Sequence, residues 1–406
     1  EPPGATEAAI VALLVLLLAA AGTVVFSAAI LSFSVREARQ IPAVARSSRS
    51  RPILIGGAAM ILLTLGATRI GTPEPRRERP QQIVIVPGET RVALLAVDGL
   101  TDDLYGARLG TIPFPFAKQI RFPPAASATE RWATIGTGTP PELHQVRSVE
   151  SLRLPAGDRV LQQVSRFDPL ASDPARRIGL VRRQPLPSAI RERDYVWEIL
   201  AARGVPAVAV NWWVTARSDA GALRAVPQEE IFRGSPAKDP ALRALSIDDR
   251  ALDALEREVR AGRARFATAY LPALDILMNR LDIPQERRVA LSVRALDRIA
   301  AAVAELRRLG FDVILVGSPA AAGEGAGVLA MQRPILAVDA SPADIAPTLL
   351  DLFGFPASRE MPGSSLVPRS TQSRIESFGS RTAAVDADPG DRSEYHDALR
   401  SLGYVR

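Results

Sequence analysis

Short apolar runs alternating with helical stretches constrain this chain more than any other feature. Strand-like runs fall at 83–86 (IVIV), 92–97 (VALLAV), 177–181 (RIGLV), 205–213 (VPAVAVNWW), 265–271 (RFATAYL), 311–317 (FDVILVG) and 334–339 (PILAVD). Helical patterns cover 193–203, 246–261, 284–309 and 341–353. Runs rich in Val and Ile that do not alternate with polar residues suit strands buried on both faces. Helices between such strands make the crossovers of a parallel sheet. The expected fold is therefore α/β, a three-layer α/β/α sandwich around a mainly parallel sheet over 91–368. Ser341 before Pro342 is a good helix start, and Gly354 after Phe353 a good stop. Residues 369–406 form a polar tail, broken at Asp388-Pro389-Gly390, whose last amphipathic piece (YHDALRSLGYV) either docks or frays.

The N-terminal part has a different character. After a tail over 1–7, residues 8–34 and 52–70 are two apolar runs joined by a loop at 35–51. About 20 apolar residues cross the ~30 Å hydrocarbon core of a bilayer, so both are expected to be transmembrane helices rather than buried core helices. The first is too long for a signal peptide and has no basic segment before it. The loop carries Arg36, Arg39, Arg46, Arg49 and Arg51 against Glu37 alone, which places it in the cytoplasm and both flanks outside. Arg76, Arg77 and Arg79 beyond the second run weaken that asymmetry without reversing it. A Pro- and Arg-rich linker over 71–90 then leads to an extracytoplasmic, periplasmic-side domain. The chain opens on Glu1 rather than Met, which leaves open what precedes it. Cysteine is absent, so disulfides argue neither way. The net charge of +6 comes from scattered arginines with no aromatic-interleaved basic stripe. Bilayer lipid and envelope proteins are thus the expected partners, and nucleic acid is not.

Candidate chemistry begins at RVALLAVDGL (91–100), an apolar strand ending in Asp98-Gly99. A carboxylate at the C-terminal end of a buried strand is where α/β folds place ligand contacts. About thirty residues on, SATERWATIGTGTPPELH (127–144) sets hydroxyls, Trp132, Thr137-Gly138, Pro140 and His144 in order. Further along come WEILAARG (197–204), VNWW (210–213), DIAPTLLDLFGFP (344–356) and MPGSSL (361–366). Taken in this order, these segments resemble the alkaline phosphatase superfamily, in its bacterial type I phosphodiesterase/nucleotide pyrophosphatase branch. The resemblance covers roughly 91–366, with the tail also similar.

That resemblance implies an alkaline-phosphatase-like domain in which Asp and His side chains hold two divalent metals, typically zinc. It places Asp98 at the first ligand position and Asp275 at the second. Asn279 then stands where a His is expected, and Ser318 and Pro319 stand where an Asp-His pair is expected. The last His has no counterpart in 324–333, and the chain has only two histidines, His144 and His396. Imidazole is the ligand best suited to zinc at neutral pH, so its loss is the decisive departure. The nucleophile position is displaced as well. Four residues before Trp132 lies Ala128, flanked by Ser127 and Thr129. Thr129 is the candidate nucleophile, against the alternative that both hydroxyls cap the following helix.

The expectation is a catalytically degenerate domain, a pseudoenzyme with a binding, scaffolding or regulatory role in the envelope and no cofactor. Asp98 and Asp275 would be vestigial metal positions. The competing reading is a metal-dependent phosphodiesterase or phosphotransferase with a reduced site around Asp98, Thr129 and Asp275. Two carboxylates without imidazoles favour a hard ion such as Mg²⁺ or Ca²⁺, held weakly in place of the two zinc ions. Glu324, in a Gly/Ala-rich loop, is a further candidate ligand, and Trp212 and Trp213 are candidates for stacking on a ligand or for core packing.

Overall fold

The computed structural model describes residues 90–109, 114–123, 127–153, 160–162, 182–219, 221–233, 237–262, 264–319, 326–336, 339–367, 374–381 and 389–405. The runs at 8–34 and 52–70, the basic loop, the linker before residue 90, the strand-like runs at 83–86 and 177–181, and Glu324 lie outside them. Among the described residues no helix is long and apolar enough to cross a membrane.

The described strands, in chain order, are β1 (Val92–Asp98), β2 (Phe116–Ile120), β3 (Glu150–Arg153), β4 (Val160–Gln162), β5 (Arg182–Pro185), β6 (Ala207–Val210), β7 (Leu223–Val226), β8 (Phe266–Leu271), β9 (Asp312–Ser318) and β10 (Gly327–Met331). Seven of them form one sheet in the order β2-β10-β9-β1-β8-β6-β7. From β9 to β7 every pairing is parallel, and β10 and β2 close one edge antiparallel. The sheet is mainly parallel, as its apolar runs require. Every residue of β1, β6 and β8 is buried, so helices cover both faces there. A separate three-stranded antiparallel sheet has the order β4-β3-β5.

The helices that frame the site are α1 (Ala128–Thr137), α2 (Val196–Ala201), α3 (Pro240–Arg260), α4 (Gln285–Arg308), α5 (Ile345–Leu352) and α6 (Pro389–Ser401). Their ends follow local chemistry. Asp239 caps α3 by accepting from the Ala241 and Leu242 amides at 3.0 Å, starting that helix earlier than its apolar pattern suggested. The Glu198 carboxylate accepts from the Tyr195 amide at 2.7 Å, which delays the start of α2 to Val196. A 3-10 turn at Pro342–Asp344 precedes α5, and Gly354 ends that helix with φ +75°.

Two expected strands are corrected. The run 334–339 has no strand at 334–336; the strand is instead β10 just before it, paired between β2 and β9, because Pro334 has no amide to give a ladder. The run 205–213 stops at Val210, since Asn211 turns to φ +60° and its side-chain amide donates to the Tyr270 carbonyl at 2.7 Å. Trp212 and Trp213 therefore leave the sheet for the core. The amphipathic C-terminal piece docks: Leu399 and Leu402 join the main apolar core.

Gly99 shows how tightly the strand ends are assembled. Its φ is +86°, and a Cβ there would lie 2.4 Å from the Asp275 amide nitrogen, a backbone atom that cannot swing aside. Gly99→Ala is expected to lower the free energy of unfolding by more than about 2 kcal/mol, measured by urea denaturation.

Candidate functional site

Asp98 ends β1 in the middle of the sheet, and the parallel registers decide what surrounds it. Across β1–β9 it faces Ser318; on β8, Tyr270 is paired with Ala96. The Asp98 side chain is 0% exposed, with both oxygens engaged. Oδ2 accepts from the Tyr270 hydroxyl at 2.9 Å and Oδ1 from the Ser318 hydroxyl at 2.8 Å. The guanidinium of Arg131 on α1, 4% exposed, brings Nη2 to 3.7 Å from Oδ1. This is a charge contact longer than a hydrogen bond, and Nε and Nη2 of Arg131 are buried without a hydrogen-bond partner.

Asp275 completes a short helix, Ala273–Asp275, that runs straight into a π-helical turn, Ile276–Arg280. Such wide turns are rare and cluster at functional sites. Here the turn returns the residues four and five positions on to the side of Asp275. Asn279 Nδ2 donates to Oδ1 at 3.3 Å and Arg280 Nε to Oδ2 at 2.5 Å. The Asp275 side chain is 1% exposed and that of Arg280 15%. Burial, with the Asp98 charge adding to it, pushes the Asp275 carboxyl up to about 6 against the opposing pull of Arg280 and Arg131. Its partner is the Arg280 guanidinium.

The C-terminus closes over this pair. The single proton of the Tyr270 hydroxyl goes to Asp98, so the Tyr404 hydroxyl, 3.3 Å away, donates to Tyr270 in turn. Burial raises both phenols well above their usual value, with Asp98 adding to the rise at Tyr270. Both therefore remain protonated donors. Arg280 lies over the Tyr404 ring, 3.9 Å from its centroid, and donates to the Gly403 carbonyl at 3.3 Å. Trp213 packs edge-on against Tyr404 at 5.3 Å, and Trp132 against Tyr270 at 5.5 Å. Trp212 and Trp213 are thus core packing around the site rather than an open stacking platform.

Thr129 is not joined to these carboxylates by any hydrogen bond among the described residues. Ser127 caps α1 by accepting from the Glu130 amide at 3.1 Å, and gives its own proton to the Arg147 carbonyl at 2.9 Å. Thr129 Oγ1, 2.8 Å from Ser127 Oγ, therefore donates to it. Its partner is a hydroxyl, not a carboxylate or imidazole that could take its proton. Ser127 thus caps the helix, and Thr129 is bonded to the cap residue.

The positions where ligands were expected lost now serve the carboxylates themselves. Ser318 and Asn279 donate to Asp98 and Asp275, while Pro319 is buried, its carbonyl 3.0 Å from the Ser318 hydroxyl. Neither histidine takes part. His144 accepts the Val146 amide on Nδ1 at 3.0 Å, so Nε2 carries the proton toward Thr134 Oγ1 at 3.1 Å. His396 Nε2 meets Glu150 Oε1 at 2.5 Å, between α6 and β3. Among the described residues no three His, Asp or Glu side chains are grouped to hold a metal ion.

A two-metal centre needs free carboxylate lone pairs and excludes cationic side chains from its first contacts. Each oxygen of Asp98 and Asp275 is instead engaged by a hydroxyl, amide or guanidinium donor, and two arginines supply the positive charge. The described residues do not fit a two-metal centre. Sequence reasoning located both carboxylates but missed Arg131, Arg280, Tyr270 and Tyr404. Nothing in the spacing of those four distinguishes them from other arginines and tyrosines.

The buried imidazole of His144 carries a pH signature. Burial first, then Arg191 and Arg147, lower its pKa to about 3. The unfolded chain takes up a proton near pH ~6.5 that the folded chain refuses, so stability is lost as pH falls below that value, at about 1.4 kcal/mol per unit until the folded pKa is reached. Between pH 7 and 4, His144→Asn is expected to lose less of its own stability than the unsubstituted protein does, measured by urea midpoints at each pH.

No protein-family model matches the sequence, and no curated protein does. Solved structures similar to the chain include phosphonoacetate hydrolase from Sinorhizobium meliloti, at 12% identity over 60% of this chain and 60% of that one, with a TM-score of 0.40. The lipoteichoic acid synthase LtaP from Listeria monocytogenes is similar at 10% identity over 77% and 90%, with a TM-score of 0.41. Murine ectonucleotide pyrophosphatase/phosphodiesterase 5 is similar at 12% identity over 56% of each chain, with a TM-score of 0.37. The chain thus spans 60% of the phosphonoacetate hydrolase chain, and none of these likenesses assigns a role to one of its residues.

Proposed function

We propose that the chain is a membrane-anchored member of the alkaline phosphatase superfamily whose domain binds, scaffolds or regulates in the cell envelope and does not hydrolyse phosphate esters. One observation carries this reading. The two carboxylates Asp98 and Asp275 are buried, and every one of their oxygens already has a partner among Tyr270, Ser318, Asn279 and Arg280, with the Arg131 charge beside Asp98. A site in that state offers neither a Lewis acid to polarise a phosphoryl oxygen nor a base to activate a hydroxyl. The ordered sequence segments support the family, and the fold alone would not confer activity. The two apolar runs at 8–34 and 52–70 support the anchor and the extracytoplasmic side, with bilayer lipid and envelope proteins as partners.

The test is elemental analysis of the purified full chain, together with turnover of a chromogenic phosphodiester in added Zn²⁺, Mn²⁺ or Mg²⁺. Metal well below one ion per chain is expected, with turnover equal to that of Asp98→Ala. Two bound ions per chain and a rate abolished in Asp98→Ala would restore the hydrolase reading.

A further inference from the structure

Asp98 and Asp275 raise a charge problem that the fold must solve. Each is almost wholly withdrawn from water, and the two feel each other's charge. Two like charges brought together in a low-dielectric interior are stable only beside compensating positive charge. A divalent ion is one source of that charge and guanidinium another. The described structure uses guanidinium twice, once per carboxylate: Arg131 with Asp98 at 3.7 Å and Arg280 with Asp275 at 2.5 Å.

The arginines come from separate elements and are held independently of the carboxylates. Arg131 projects from α1, its guanidinium over the Phe122 ring at 5.8 Å. Arg280 is fixed from the other side by the Tyr404 ring and the Gly403 carbonyl. Their positions are therefore built by the fold rather than borrowed from a flexible surface. Arg280 is the more telling of the two, because it hydrogen-bonds its carboxylate directly and sits at the end of the π-helical turn that also presents Asn279.

We propose that Arg131 and Arg280 are built-in counter-ions that do, for Asp98 and Asp275, the electrostatic work a bound divalent cation would do. In consequence, loss of the Arg280 charge converts the same oxygen groups into a weak divalent-cation site. This rests on the metal-free reading above. With Arg280 gone, the Asp275 carboxylate and the Asn279 amide oxygen are left beside Asp98, a hard, all-oxygen set suited to Ca²⁺ or Mg²⁺ rather than to zinc.

The experiment is thermal unfolding of the full chain in EDTA, in Ca²⁺ alone and in Mg²⁺ alone at ~10 mM, a concentration that fills even weak oxygen sites. Four proteins are compared: unsubstituted, Arg280→Lys, Arg280→Gln, and Arg280→Gln with Asp275→Asn. The unsubstituted protein and Arg280→Lys, which both keep the charge, are expected to show no change in Tm with cation. Arg280→Gln is expected to melt lower in EDTA and to recover by about 2 °C or more in Ca²⁺ or Mg²⁺. The double variant, neutral on both sides, is expected to regain much of the lost Tm without any cation.

If Arg280→Gln does not fold, the double variant still decides. A counter-ion role requires it to fold, whereas a packing role of the Arg280 side chain leaves it unfolded. An unsubstituted protein that loses several degrees in EDTA would overturn the metal-free reading and this proposal together. An unsubstituted protein indifferent to EDTA, with an Arg280→Gln form blind to cations and no recovery in the double variant, would overturn this proposal alone.

Discussion

A carboxylate sealed inside the end of a central strand has to be neutralised, and much of this structure follows from how that is done. Asp98 lies beyond the reach of water, so each of its oxygens must find a donor within the protein. Tyr270 comes from the neighbouring strand on one side and Ser318 from the strand on the other. Arg131 approaches from the helix above. Because Tyr270 spends its proton on Asp98, it needs a donor of its own, which draws in Tyr404 from the far C-terminus. A demand at one atom thereby fixes where the last residues of the chain must lie.

The second carboxylate extends the same logic. The Asp275 backbone lies so close to Gly99, the residue after Asp98, that Gly99 has no room for a side chain, and the π-helical turn beyond Asp275 presents an amide and a guanidinium together. The Tyr404 ring and Gly403 carbonyl hold that guanidinium in place, joining the two carboxylate sites through one C-terminal segment. The aromatic packing of Trp132, Trp212, Trp213 and Tyr270 then shields the ensemble from solvent, which raises the strength of every charge contact inside it. What remains is a buried cluster in which two carboxylates face two guanidinium groups.

The apolar runs made the parallel part of the sheet legible, since strands buried on both faces leave a run of Val, Ile, Leu and Ala that little else explains. The antiparallel edge was not legible. β2 is exposed along most of its length and lacks the pattern of a buried strand, while β10, though buried throughout, is a short run that merges with the Gly/Ala-rich sequence before it. Asp98 was found because it ends an apolar strand, whereas Asp275 lies inside an apolar run and was singled out only by the family resemblance. Their arginine partners were not, because nearly all of the 50 basic residues are arginine and burial of any one is a tertiary fact. The scarcity of histidine was plain from composition. What composition does not show is that Ser318 and Asn279 become donors to the carboxylates that remain.

The most direct measurement is a crystal structure from crystals soaked in millimolar Zn²⁺ and in Mn²⁺, with anomalous scattering recorded at each metal edge. The account predicts no anomalous peak in contact with Asp98 or Asp275, and Arg131 and Arg280 still facing them. A peak bound by both carboxylates, with either guanidinium swung away, would contradict it.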